Sequence, residues 1–188
     1  MIQLLKNSEF SETLWKNGKG LTTQIGIYPE DASLLANDFL WRISSAKVSV
    51  ADSFSLFPNH QRLLVVWKGD GLVLNGTSLL PDSPLQFSGK ENIYCEPLGK
   101  SLVVDIGIIY QKELVSADLK IVSLNSKTTI QMLTTITYLF HAGGAECQLK
   151  GIHFHEGDWL KLENEEEIMI HTDSIYPITL YKISITGI

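Results

Sequence analysis

Cysteine, surplus positive charge, long apolar runs and helical periodicity are all scarce in this chain, and each shortage closes off a class of protein. The two cysteines, Cys95 and Cys147, are too few for a disulfide framework and fit a reducing compartment, packed as small apolar side chains. Lys and Arg total 15 against 21 Asp and Glu, for a net charge of −6, whereas a phosphate-binding surface needs an excess of cations. Nucleic acid is therefore not an expected partner. No apolar run approaches the ~20 residues of a membrane helix, and the segment Met1–Asn7 turns polar too early for a signal peptide. A soluble, cytoplasmic protein is expected. Only Asp31–Asn37 hints at a helix, and a loop fits it as well. With 188 residues, 44% of them apolar and 19% charged, the chain can bury one good core or two small ones.

Strand signals fill the rest. Leu21, Thr23, Ile25 and Ile27 alternate with Thr22, Gln24, Gly26 and Tyr28, and Phe39, Trp41 and Ile43 alternate with Arg42 and Ser44. Asn75-Gly76, between two short apolar segments, predicts a type I′ hairpin. Later strands are expected at 93–96, 102–110, 119–124, 129–140, 145–149, 152–155, 159–162, 167–171 and 178–185. The most prominent stretch is Phe54-Ser55-Leu56-Phe57-Pro58-Asn59-His60-Gln61-Arg62. It delivers an arginine to the start of the apolar strand Leu63–Trp67, which Lys68-Gly69-Asp70-Gly71 then ends. A polar group at the mouth of such a strand is a candidate ligand contact.

An internal repeat organises these strands. Leu63–Trp67 with its glycine turn resembles Ile136–Phe140 followed by His141-Ala142-Gly143-Gly144, at an offset of 73. Asn75-Gly76 then matches Lys150-Gly151, Leu85-Gln86-Phe87 matches Leu160-Lys161-Leu162, and Pro81-Asp82-Ser83 matches Glu156-Gly157-Asp158, at an offset of 75. The expectation is an all-β bicupin: two tandem cupin-type β-barrels (jelly rolls), 1–112 holding the ligand pocket and 113–188 a degenerate second barrel.

Trp15-Lys16-Asn17-Gly18-Lys19-Gly20-Leu21-Thr22, Trp41-Arg42-Ile43-Ser44 and Phe54-Ser55-Leu56-Phe57-Pro58 with Arg62 resemble motifs of the HutD/Ves family; Phe87-Ser88-Gly89 and Asp105 are weaker echoes. The resemblance spans residues 15–110 and implies a small bicupin. It also implies an auxiliary or regulatory role, in histidine utilisation with small acidic intermediates such as formylglutamate, or in a stress response. The chain departs from the family pattern at Lys19, at Gln61 where an acid usually precedes the arginine, and at Gly107 where an asparagine is common.

Laying the spacing of metal-binding cupins on the first repeat puts Arg62 at the carboxylate ligand position. Ser55 and Phe57, or Leu56 and Pro58, fall at the paired histidines, and Asn92 at the last histidine. A guanidinium there reverses the charge of the pocket and suits an anion. Neither metal nor cofactor is expected, and no catalytic residue is assigned. The expected ligand is a small anionic, carboxylated metabolite. Arg42 and Arg62 would neutralise it, Lys16, Asn17 and Thr22 would close one side, and Ser44 and Asn92 would supply neutral hydrogen bonds. Asp105 joins the set, or pairs with Arg42 as a structural counterion. His60 and His141, in turns, and His171, near Asp173, read as solvated. Two alternatives stay open. One is a cupin hydrolase or isomerase, metal-dependent if His153 and His155 chelate. The other is an interaction module, with the second barrel serving a homodimer.

Overall fold

The computed structural model describes residues 1–10, 12–15, 20–125, 127–132 and 134–187, with Lys127 described by its backbone alone. The chain opens with β1 (Ile2–Leu5) and a 3-10 turn at Asn7–Glu9. The next strands are β2 (Glu12–Leu14), β3 (Gly20–Tyr28), β4 (Trp41–Val48), β5 (Asp52–Ser53), β6 (His60–Lys68), β7 (Leu72–Leu74), β8 (Thr77–Leu79), β9 (Leu85–Ser88), β10 (Tyr94–Pro97) and β11 (Val103–Gln111). There follow β12 (Ser116–Leu124), β13 (Lys127–Gln131), β14 (Ile136–Gly143), β15 (Cys147–Leu149), β16 (Ile152–Phe154), β17 (Trp159–Glu163), β18 (Glu167–His171) and β19 (Ile178–Thr186). The chain divides into two compact units, a first of Phe10–Ser116 and a second of Met1–Glu9 with Ala117–Ile188. The N-terminal strand β1, expected within 1–112, thus lies in the second unit, where it pairs antiparallel with β17 from Ile2↔Leu162 to Leu5↔Trp159.

Each unit is a two-sheet cupin fold, and the sheet orders repeat. In the first unit β4-β11-β6-β9 are consecutive in the larger sheet, which β3 and β2 extend beyond β4, and β5-β10-β7-β8 form the smaller. In the second unit the corresponding orders are β12-β19-β14-β17 and β13-β18-β15-β16. The ladders correct the offset. Arg62 pairs with Ile109 and Thr137 with Ser184, Asp105 pairs with Val66 and Leu180 with His141, so the offset is 75 throughout. The register even breaks at the same place, between Val104 and Asp105 in one unit and between His141 and Gly143 in the other. Gly69 (φ 96°) and Gly144 (φ 112°) carry the corresponding turns, and a Cβ at either would press on Val103 or its counterpart Ile178. Leu63–Trp67 therefore corresponds to Tyr138–Ala142, two residues beyond the match suggested by apolar residues alone.

One further expectation is revised, and the alternative left open at Asp31–Asn37 resolves to a loop. Residues 129–140 do not form one strand: β13 ends at Gln131 in the smaller sheet and β14 starts at Ile136 in the larger. Asp31–Asn37 is turn and coil, ending at Asn37 with φ 56°. The second unit fills its interior with hydrocarbon, including Leu139, Leu149, Phe154, Leu160, Ile178 and Leu180. The first unit is apolar around Val48, Val66, Leu72, Leu74 and Val103, but its larger sheet also turns polar side chains to the interior.

Candidate functional site

Residues paired across neighbouring strands point to the same face, and that face alternates along each strand. Leu64 and Val66 of β6 belong to the first unit's core, so Arg62, two residues before Leu64, faces the same interior. Val48 and Ala46 likewise place Ser44 and Arg42 there, and Val103 places Asp105, Gly107 and Ile109 there. Three rungs result: Arg42–Ile109–Arg62–Phe87, then Gln24–Ser44–Gly107–Leu64, then Thr22–Ala46–Asp105–Val66. Arg42 and Arg62 stand on strands roughly 10 Å apart, one on each side of β11. Ile109 stands between them on that rung. On the next rung Gly107 contributes no side chain, and a Cβ there would lie 2.8 Å from the Leu63 carbonyl oxygen and 3.2 Å from Leu64 Cδ1.

Arg62 is held by the turn that precedes it. Its guanidinium donates to the Ser55 carbonyl and lies 5.3, 5.1 and 5.9 Å from the ring centres of Phe54, Phe57 and Phe87. Phe54 and Phe87 are themselves stacked, with centroids 6.0 Å apart. A cation among three ring faces is attracted by each quadrupole, by about 0.5–2 kcal/mol per ring depending on exposure. The turn is tied by backbone bonds: the Phe57 N–H donates to Gly89 O (2.7 Å), the His60 N–H to Phe57 O (2.9 Å) and the Gly89 N–H to His60 O (2.8 Å). Phe54-Ser55-Leu56-Phe57-Pro58 and Phe87-Ser88-Gly89, which are distant in sequence, form one cradle for a single cation. Opposite it, Arg42 is buried and donates through Nε to Gln24 Oε1 (2.9 Å) and through Nη1 to Ser44 Oγ (3.3 Å). The Trp15 indole N–H donates to Thr22 Oγ1 (2.7 Å), which leaves the threonine hydroxyl proton free to donate in turn.

The charges in this interior perturb one another. Burial lowers the Arg42 pKa, yet the group stays cationic. Burial takes Arg62 down to about 10, with the Asp105 carboxylate opposing the fall and the Arg42 charge adding to it. Asp105 is 4% exposed. Burial pushes it up to about 7, against the backbone hydrogen bond from Ala46 and the attraction of Arg62. The Ser45 hydroxyl donates to the Asp105 carbonyl (2.8 Å) and fixes β11 against β4.

The structure therefore brings together Arg42, Ser44, Arg62 and Asp105 of the expected set, with Thr22 on the adjoining rung. Lys16 and Asn17 lie outside the described residues. Asn92 is in the exposed connection between β9 and β10, where its carbonyl accepts from the Asn75 side chain (3.0 Å). Gln24 and the three phenylalanines belong to the group as well. Gln24 was legible from its alternation with Thr22, but nothing local in the sequence joins Phe87 to Phe54.

His60 and His141 correct the expectation of solvated turns. They are 2% and 0% exposed, with Nε2 on Phe39 O (3.1 Å) and Ala145 O (2.8 Å), and burial lowers the pKa of both.

At the positions where the cupin frame places metal ligands stand the Ser55 carbonyl, the Phe57 ring and the Arg62 guanidinium. That donor set carries a cation of its own and does not fit a metal ion. Leu56, in the other register, is exposed. His153 on β16 and His155 just after it are exposed, and both contact the Glu146 carboxylate, His153 Nδ1 at 2.5 Å and His155 Nε2 at 2.6 Å. Among the described residues no group of three or more His, Cys, Asp or Glu is placed to hold a metal. In the second unit Thr137 stands in the register of Arg62 and Leu180 in that of Asp105. Both are buried, and the ionic site is not repeated there.

Among the described residues no helix is long and apolar enough to cross a membrane. A family model described as HutD matches residues 7–176. An uncharacterized 21.2 kDa protein in the hutC 3′ region of Pseudomonas putida is 29% identical over 179 residues, covering 89% of this chain and 90% of that protein. The solved structure of HutD from Pseudomonas fluorescens, in a formate condition, superposes with a TM-score of 0.81 at 24% identity over 100% of both chains. YhhW of Escherichia coli superposes with a TM-score of 0.70 at 13% identity, over 98% of this chain and 97% of its own. These structural likenesses speak to the fold.

Proposed function

The chain belongs to the HutD family, and from that membership and the site geometry we propose that its first unit binds a small carboxylated metabolite, without a metal, in the cytoplasm. The observation that carries this reading is the pair of guanidiniums, Arg42 and Arg62, turned to one interior face on either side of Ile109. A carboxylate accepts two parallel N–H bonds from a guanidinium, which gives direction as well as charge. Thr22 and Ser44 add neutral hydroxyls, and the phenylalanines on the Arg62 side form an apolar wall for a short carbon chain. The relative in a hutC region and the HutD family match support a tie to histidine utilisation, and within it we read an auxiliary or regulatory role with formylglutamate-like acids as the ligands. The test is calorimetric titration of formate, N-formylglutamate and urocanate into the wild type and Arg62→Ala. Saturable binding of one of these acids, lost in the variant, is expected. Equal silence from both proteins would sink the proposal.

A further inference from the structure

We propose that anion binding in the first unit is proton-linked: a carboxylate entering between Arg42 and Arg62 is taken up together with one proton, which Asp105 holds. This rests on reading that interior as an anion site.

Asp105 lies one alternation beyond Gly107 on β11, on the same face, and is almost wholly buried. The groups that face it are few. Arg42 comes from β4 and Arg62 from β6, with the buried His60 at the start of β6 and Lys68 at its end. From the smaller sheet, β10 contributes the Cys95 thiol, and β5 sets Asp52 in register with Cys95. On β3 the rungs hold the uncharged Thr22 and Gln24. Lys47 of β4 belongs to the opposite face, where it pairs with Glu12. Without a guest, the carboxylate of Asp105 has the Ala46 backbone hydrogen bond and the attraction of the Arg62 guanidinium. A second carboxylate brought to Arg62 competes for that charge, and like charges in one buried interior favour protonation of one. The internal acid is the one already poised, since burial has moved it up to about 7. Proton uptake leaves the Arg62 charge to the guest.

Linkage gives the sign. An anion that pushes the Asp105 pKa upward binds more tightly as pH falls. If Asp105 stays protonated in the complex, affinity drops about tenfold between pH 6 and pH 8. Formate, a monoanion, and succinate, a dianion, are suitable probes, titrated by calorimetry at pH 6 and pH 8 and at pH 7.5 in both HEPES and Tris. The apparent enthalpy should differ between buffers by the uptake of between half a proton and one proton per site. Asp105→Asn, which keeps the shape, should abolish both the uptake and the pH dependence. Binding by the wild type without proton uptake, or uptake that persists in Asp105→Asn, overturns the proposal and leaves the anion site standing. No binding of either probe at pH 6 overturns the anion site itself. The proton count on the wild type decides the matter even if the variant fails to fold.

Discussion

Gly89→Ala offers a quantitative test of how the Arg62 cradle is held. Gly89 is not in the left-handed region, so alanine meets no dihedral penalty there; the obstacle is space. A Cβ at Gly89 would lie 2.5 Å from Phe57 O, 2.9 Å from His60 O and 3.2 Å from Phe57 Cβ. Two of these atoms are backbone and cannot swing aside. The same atoms accept or flank the bonds that close the turn, so the methyl group has to part Phe57 from His60. Overpacking costs about 1–3 kcal/mol, and weakening two backbone hydrogen bonds adds about 1 kcal/mol each. A loss of about 3 kcal/mol is a large share of a typical 5–15 kcal/mol stability. In urea it lowers the midpoint by about 1.5 M for a slope near 2 kcal/mol/M. Gly76→Ala is the matched control. Gly76 has φ 85° with nothing within 4 Å of a Cβ, so only the left-handed backbone is penalised, by about 1–2 kcal/mol. A Gly89→Ala protein as stable as wild type, or more stable than Gly76→Ala, refutes the packing account of the cradle.

Three other outcomes are expected. Arg62→Lys keeps a cation but loses the planar fork, and Arg42→Ala removes one guanidinium; each should weaken binding of a carboxylate by about 10–100-fold in calorimetric titration, from the ~1.5–3 kcal/mol of a charged hydrogen bond. Asp105 has its folded pKa raised from 3.8 to about 7, so the stability it contributes is present below pH 4 and is lost as pH rises to 7, by up to about 4 kcal/mol. Urea unfolding of wild type against Asp105→Asn at pH 4.5 and pH 7.5 should show the wild type losing ground at the higher pH. Burial pushes the thiols of both Cys95 and Cys147 up to about 12, so in the native protein neither should react with a thiol reagent at pH 8, and both should react once the chain is unfolded.

Much of the architecture could be read from the sequence because the relevant signals are local. Alternation marked β3 and β4, Asn75-Gly76 marked the β7–β8 turn (φ 47° and 85°), and the spacing to Gly69 singled out Arg62. What escaped was set by distant partners. β1 is an ordinary short apolar segment until β17 pairs with it. The repeat was first matched on apolar residues, which tolerate a slip of two because strand faces alternate with that period. The ladders and their shared irregularity make Thr137 the counterpart of Arg62 in the repeat. His60 and His141 look like turn residues, yet the packing of Phe39 over one and Phe154 beside the other removes them from water. Gly107 read as a departure from a pattern, and the structure gives it meaning as a close approach: a Cβ there would lie 2.8 Å from Leu63 O and 3.2 Å from Leu64 Cδ1.

The most direct measurement is a crystal structure grown with succinate at pH 6. One carboxylate of the acid should lie between the guanidiniums of Arg42 and Arg62, with the chain of the acid against Phe54 and Phe87. Succinate bound instead at the exposed His153 and His155, or absent from the first unit while that interior is filled by protein side chains, would contradict the assignment of this interior as an anion site.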